Sequence, residues 1–277
     1  MMLRGWPRRF EPPPAAERSM AGSMFRQLRL AEIGDTIDLL RRHRVSGDLL
    51  EIGAGTGWQA KALADTGYAV TAIDLPATSD ISTHARKRDW PIVDYDGSHI
   101  PFGDESFDII YSSNVLEHVV DLDRLTADMK RVLRPGGLAL HLVPNGNWRV
   151  LSLITYYPGQ AIDALRWLRR RQPASATASG PANGRRTSSL IAKAARRLLP
   201  HAHGSSGSAL SEIRRFSKAR WDDYFARTGW EVIEYGNNGL LASGDYLLGA
   251  NLPMAARRFL GRLTGGIAHV YVVRLRS

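Results

Sequence analysis

Glu51, Gly53, Gly55 and Gly57 alternate through the stretch "LLEIGAGTGWQA", where an apolar run gives way to a helix-like one. Glycines between a strand and a helix let the backbone turn sharply and bring its N–H groups against a ligand. That ligand could be a triphosphate, a dinucleotide or a group with no phosphate at all. A triphosphate loop needs Lys followed by Ser or Thr after its last glycine; Trp58 and Gln59 stand there instead. A dinucleotide turn wants an acid about 20 residues further on and the spacing G-x-G-x-x-G. Asp74 meets the first demand, 21 residues after Gly53, but the glycines run G-x-G-x-G. His118 follows a later apolar run and has a side chain that titrates in the range of a general base. The chain has no cysteine, which removes disulfides, thiolate metal ligands and a thiol nucleophile together. No metal site is expected.

These residues fall at the ends of alternating elements. "DLLEIG" reads as a strand, "WQAKALADTG" as a helix ended by Gly67, and "YAVTAIDL" as a strand ending at Asp74. "PIVDYD" and "FDIIYSS" read as strands, "DLDRLTADMKRVL" as a helix and "GLALHLVP" as a strand. "ISTHARKR" is a short helix or loop. A helix over 24–44 precedes them, with Leu30, Ile33, Ile37 and Leu40 as its apolar face. After an irregular stretch the order returns with "SKARWDDYFARTG" (helix), "WEVIEYG" (strand) and "HVYVVRLRS" (strand). Strands and helices alternating at this spacing indicate a largely parallel sheet covered on both faces.

The pattern E-x-G-x-G-x-G resembles the first motif of the class I S-adenosylmethionine-dependent methyltransferases. "AIDLP", "DGSHIPFGDESFDIIYSSNVLEHV" and "LRPGGLALHLVPN" follow in that family's order. The resemblance covers roughly residues 30–145 and resumes at about 215–277. It implies an α/β Rossmann-like, doubly wound seven-stranded sheet with the last strand antiparallel, and S-adenosyl-L-methionine as cofactor. It also implies cofactor contacts from Glu51, Gly53, Ala54, Gly55, Gly57, Asp74, Leu75, Asp96, Gly97 and Ser113. Glu51 would face the ammonium of the methionine tail, Asp74 the ribose hydroxyls, and Leu75, Asp96 and Gly97 the adenine. Asp-Gly at 96–97 also reads as an ordinary turn. His118 is the candidate base; a structural contact at the start of a helix is the plainer reading of it. No Asn-Pro-Pro-Tyr motif follows the fourth strand, so amide and base nitrogens are disfavoured as acceptors. The expected activity is methyl transfer to an oxygen of a small or lipid/saccharide-type molecule. A non-catalytic membrane- or RNA-binding protein of the same fold is the rival; a nicotinamide-dependent oxidoreductase is disfavoured by the glycine spacing and by "LRPGG".

Charge divides the chain. Residues 145–220 hold 14 Lys/Arg against 2 acids, whereas 45–144 hold 8 against 15. The expected organisation is a disordered N-terminus over 1–23, a methyltransferase domain over 24–144 and 212–277, and a basic, partly flexible insertion over 145–211. Within the insertion, Leu190–Leu199 places Lys193, Arg196 and Arg197 opposite an apolar half, which suits an anionic membrane surface. Trp148, Tyr156, Tyr157 and Trp167 precede Arg169, Arg170 and Arg171 and suit an interface too. A lid over the acceptor is the competing role. Nucleic acid is the disfavoured partner, because basic and aromatic residues are segregated, not interleaved. No apolar run reaches the roughly 18–20 residues of a membrane span, and the arginine-bearing N-terminus lacks the apolar core of a secretory signal. A cytoplasmic protein, peripheral at the inner face of a membrane, is expected.

Overall fold

The computed structural model describes residues 15–43, 45–76, 88–155, 158, 209–242 and 252–276. Seven strands form one sheet: β1 (Asp48–Ile52), β2 (Ala69–Asp74), β3 (Ile92–Asp94), β4 (Phe107–Ser113), β5 (Leu133–Pro144), β6 (Trp230–Asn237) and β7 (Ala268–Leu275). Their order is β3-β2-β1-β4-β5-β7-β6. β1 to β5 are parallel, and β7 lies antiparallel between β5 and β6, as the family resemblance implies. The chain runs outward from β1 to β3 and then crosses back to β4. That reversal leaves a crevice beyond the carboxyl ends of β1 and β4, where ligands bind in such sheets.

The sheet is apolar on both faces because both are covered. On one face Leu50, Ile52 and Ile110 pack with α3 (Leu122–Val132) and α5 (Lys218–Arg227) through Met129, Trp221 and Phe225. On the other, Leu49, Ile109 and Leu140 meet α1 (Ala15–Arg42) and α2 (Trp58–Ala64) through Ile33, Leu40 and Leu63. Side-chain caps start two of these helices: Asp121 accepts the Arg124 N–H at 3.0 Å, and Ser217 accepts that of Arg220 at 3.4 Å. Two further helices are α4 (Ala209–Arg215) and α6 (Met254–Thr264). No described helix is long and apolar enough to cross a membrane.

Several boundaries differ from the sequence reading. α1 begins at Ala15, so 15–23 are helical where a loose N-terminus was expected. The stretch opens with Ala-Ala-Glu-Arg, all good helix formers, directly after three prolines that cannot continue a helix interior. Leu30 lies beyond the edge of α1's buried face and is 47% exposed, while Leu28 is buried. Residues 146–155 are helical, with Arg149, Ser152 and Thr155 buried, and α4 begins inside what read as linker. The packed domain therefore extends past both edges of the expected insertion. α6 was not anticipated; Gly261 in its interior weakens the helical signal. Most of "ISTHARKR", the Leu190–Leu199 segment, Tyr156, Tyr157, Trp167 and Arg169–Arg171 lie outside the described residues.

Candidate active site

β1 brings one acid into the core with three aliphatics. Leu49, Leu50 and Ile52 are fully buried, and Glu51 is only 1% exposed. Among the described residues its Oε2 has no hydrogen-bond partner. Burial pushes the carboxyl up to about 8; the Ala60 backbone N–H opposes this and the nearby Asp74 charge adds to it. Directly above, the chain turns through Gly53, Gly55 and Gly57, with φ of 75°, 62° and 81°. A Cβ on Gly53 would sit 2.3 Å from Val115 Cγ2, and one on Gly57 2.5 Å from Trp90 Cβ. These positions need glycine for conformation and for space. The turn is tied to β2: Gly53 N–H and Ala54 N–H both donate to the Ile73 carbonyl, at 2.9 and 3.1 Å.

Asp74 ends β2 beside this turn. Its Oδ2 accepts the Gly55 N–H at 2.5 Å and its Oδ1 the Leu75 N–H at 2.6 Å. β3 pairs with β2, and the Tyr95 N–H donates to the Asp74 carbonyl at 3.0 Å. That pairing brings the 96–97 turn next to Leu75: a Cβ on Gly97 would meet Leu75 Cδ2 at 3.1 Å. Asp96 itself organises the turn. Its Oδ1 accepts the N–H groups of Ser98 and His99 at 2.8 and 2.6 Å, and those bonds hold its carboxyl below the ordinary range. The turn reading of Asp96 thus describes Oδ1.

Ser113 closes β4, one residue beyond the Ile52–Ser112 pair, so it stands beside the start of the glycine turn. His118 ends a 3-10 turn, Leu116–His118, with its side chain 38% exposed. Its Nε2 lies 3.7 Å from Glu117 Oε1. Glu117 is 2% exposed, its Oε2 lacks a hydrogen-bond partner among the described residues, and burial raises its pKa to about 8.

The sequence reading missed the polar groups beneath this edge. Gln59 of α2 donates to Tyr111 Oη at 3.2 Å. Arg29 of α1 donates from Nη1 to Ser113 Oγ at 3.0 Å and to Glu32 Oε2 at 2.8 Å. Asn238, just after β6, donates to Glu32 Oε1 at 2.8 Å. Glu32 lies outside the apolar spacing of Leu30, Ile33, Ile37 and Leu40, so the pattern of α1 did not mark it. Nothing in the sequence linked it to residue 238, more than two hundred positions away.

A cleft of about 380 Å³ opens along the same edge of the sheet, lined in part by Asn145, Asn147, Lys218, Tyr235 and His269. His269 Nε2 donates to the Phe216 carbonyl at 2.9 Å, which leaves Nδ1 to accept from Tyr235 Oη at 2.9 Å. Burial lowers the His269 pKa, in keeping with a neutral ring. Beside the cleft, Arg149 and Glu212 form a buried ion pair with Nε and Oε2 2.9 Å apart. The Trp148 and Phe216 rings lie 6.4 Å apart. These contacts join the start of the expected insertion to the residues that follow its end.

The strand order, the antiparallel β7 and the glycine turn at the switch point define a Rossmann-like fold of the cofactor-binding kind. Comparison with known proteins narrows the class. A family model described as a methyltransferase domain matches residues 50–141. An uncharacterized methyltransferase of Mycobacterium marinum is 33% identical over 180 residues, 62% of this chain and 66% of that protein. An uncharacterized methyltransferase of Mycobacterium tuberculosis is 32% identical over 185 residues, 64% of this chain and 68% of that one. The chain thus spans about two thirds of the length of these relatives. A chain from the solved complex of the Haloferax volcanii Trm112 methyltransferase activator with a methyltransferase is similar in fold, with a TM-score of 0.50 and 16% identity. That match covers 95% of this chain and 97% of the other. This protein belongs to the class I S-adenosylmethionine-dependent methyltransferase family, whose cofactor is S-adenosyl-L-methionine.

Proposed function

We propose that the chain transfers a methyl group from S-adenosylmethionine to an oxygen of a small or lipid/saccharide-type acceptor. The observation that carries this reading is Glu51: a buried carboxyl with an unpartnered oxygen beneath a three-glycine turn, beside Asp74. An apolar side chain would serve the core better there, because a buried polar atom without a partner is destabilising. A cofactor ammonium would supply the missing partner. Gly53, Ala54, Gly55 and Gly57 would admit the methionine tail against the backbone. Asp74 would take the ribose hydroxyls, since carboxylate oxygens each accept more than one hydrogen bond. Leu75 and Gly97 would flank the adenine, and Asp96 would reach its edge through Oδ2. Ser113 would line the opposite wall.

Bound S-adenosylmethionine supplies a methyl group already activated on a sulfonium. The protein's part is to align the acceptor and, for a hydroxyl, to take its proton. His118 has a half-exposed imidazole just after β4 for that role. The cleft along β5, β7 and β6 is the place for the rest of the acceptor, with Lys218 and Tyr235 on its walls. The test is incubation with methyl-labelled cofactor and fractionated cell extract. Label in a lipid or saccharide fraction supports the reading; label in RNA or protein alone refutes the acceptor class, and cofactor binding without any transfer favours the non-catalytic rival.

The basic composition of 145–211 supports a second element of the proposal, contact with an anionic membrane surface at a cytoplasmic face. Each Lys or Arg near such a surface contributes about 1 kcal/mol, screened by salt. Sedimentation with anionic but not neutral vesicles is the expected result. Replacing Lys193, Arg196 and Arg197 with Gln should abolish most of it. Failure of the wild-type protein to sediment at low salt would leave the lid role.

A further inference from the structure

The fold fixes one face of α6 inward and leaves the other outward. Arg257 and Gly261, about one turn apart, are buried. A Cβ on Gly261 would overlap the Gly239 carbonyl, and the Arg257 guanidinium donates to the Leu241 and Leu252 carbonyls at 2.9 and 3.0 Å. These contacts set the rotation of the helix. Phe259 and Leu263 each follow an inward residue by two positions, about 200° around the axis, and they are 64% and 70% exposed. On the 146–155 helix, Val150 and Ile154 stand one turn apart and are exposed as well, Ile154 at 65%. Asn147, one turn before Val150 on the same side, donates from Nδ2 to the Thr264 carbonyl at 2.6 Å, next to Leu263. Four of the eight exposed large apolar side chains among the described residues thus gather on two helices that touch. Single apolar residues on a surface are ordinary; a group of them marks an interaction surface.

We infer that α6 and the 146–155 helix form the surface by which the protein lies on an anionic lipid bilayer, with the acceptor cleft opening at the headgroups. This rests on the proposed membrane contact and gives it a place beyond residues 190–199. Charge selects the occupant. α6 reads "MAARRFLGRLT", with three arginines and no acid. Arg262 is exposed beside Leu263, while Arg258 reaches back to Asp35 of α1 at 3.1 Å. Residues 145–220, which include the second helix, hold 14 Lys/Arg against 2 acids. A second copy of the chain would bring Arg262 against Arg262, because a two-fold contact sets the same patch on itself. The chain's own basic stretch would bring like charge too. Anionic headgroups answer both the apolar side chains and the arginines, as they do for helices that lie in a bilayer interface. The position of the surface gives it a use. Asn147, Val150 and Gly265 also line the cleft where the acceptor is proposed to sit, so the cleft and the surface share a rim. A lipid acceptor then enters the cleft from the bilayer without crossing water.

The chain has no cysteine, so Leu263→Cys carries one environment-sensitive fluorophore at a known place. Val93→Cys, on the exposed side of β3, is the control. Both are mixed at low salt with vesicles of phosphatidylglycerol and phosphatidylcholine, and with vesicles of phosphatidylcholine alone. With the anionic vesicles the label at 263 should shift to the blue and be quenched by a nitroxide-bearing lipid; the label at 93 should do neither. Phe259→Gln combined with Leu263→Gln should weaken vesicle affinity by at least about tenfold, since two apolar side chains no longer enter the acyl boundary. Arg262→Gln should weaken it by about fivefold, and by less at high salt. All three side chains are exposed, so these variants keep the fold. A label at 263 that does not respond, while the unmodified chain still sediments with anionic vesicles, overturns the inference and leaves the membrane contact to residues 190–199. A double variant that changes oligomeric state with vesicle affinity unmoved also overturns it, and makes this face a contact between copies. Failure of the unmodified chain to sediment at low salt would refute the membrane contact itself, and the inference with it.

Discussion

Replacing Glu51 with Gln should raise the stability of the cofactor-free protein while it weakens cofactor binding. The unfolded chain releases the Glu51 proton near 4.5, and the folded chain holds it until about 8. The folded state therefore binds more protons between those values. Its contribution to stability is full below 4.5 and is lost as pH rises through 8. At pH 7 the unfolded chain is favoured by about 3 kcal/mol relative to a group that does not titrate, from 1.36 kcal/mol per tenfold change. That is a large part of the roughly 5–15 kcal/mol by which domains are stable. Gln is neutral throughout and keeps an oxygen for the Ala60 N–H, but adds an amide N–H₂ without a partner, at about 1 kcal/mol. Urea unfolding at pH 5, 6, 7 and 8 should show the variant slightly less stable at pH 5 and about 1–3 kcal/mol more stable at pH 8. Part of the pH slope should remain, because Glu117 is raised in the same way. Calorimetry in buffers of different ionisation enthalpy should find nearly one proton released when the wild type binds S-adenosylmethionine at pH 7. The variant should bind at least about tenfold more weakly and release none. Parallel stability profiles, with equal proton release, would refute the account of Glu51.

Asp74→Ala should lower S-adenosylmethionine affinity by at least about tenfold, since bonds to a charged acceptor contribute about 1.5–3 kcal/mol each; an unchanged calorimetric affinity would remove Asp74 from the site. His118→Ala should cut turnover by about 100-fold or more with cofactor affinity nearly unmoved, whereas near-full turnover across pH 6–9 would make His118 structural. Replacing 159–208 with a short Gly/Ser bridge should preserve cofactor binding, because Arg149–Glu212 and Trp148–Phe216 already join the flanking segments. A bridged variant that folds but binds no cofactor would show that the segment contributes to the cofactor site.

Most strands were legible in the sequence as short runs rich in apolar residues; β4 was read at the bounds it has, Phe107–Ser113, whereas β5 begins at Leu133, four residues before the run read as strand. The glycine turn was legible too, since positive φ at alternating positions admits little else. Asp74 followed from its distance to Gly53 along the chain. These features are local, and local sequence carries local conformation. What surrounds them depended on the fold. Asp96 read first as an adenine ligand, with a turn residue as the alternative, and only the folded loop shows its Oδ1 committed to Ser98 and His99. Glu117 was overlooked beside His118, because a single glutamate among Val115, Leu116 and Val119 is as readily a solvated turn residue as a buried one. Arg29, Glu32 and Asn238 meet across α1, β4 and the segment after β6. Leu30 matched the apolar spacing of α1 and still faces outward, whereas Glu32 matched no apolar pattern and is buried. Periodicity reports which face of a helix is apolar on average; which polar side chains that face can carry inward is set by the partners that the rest of the chain brings to meet them.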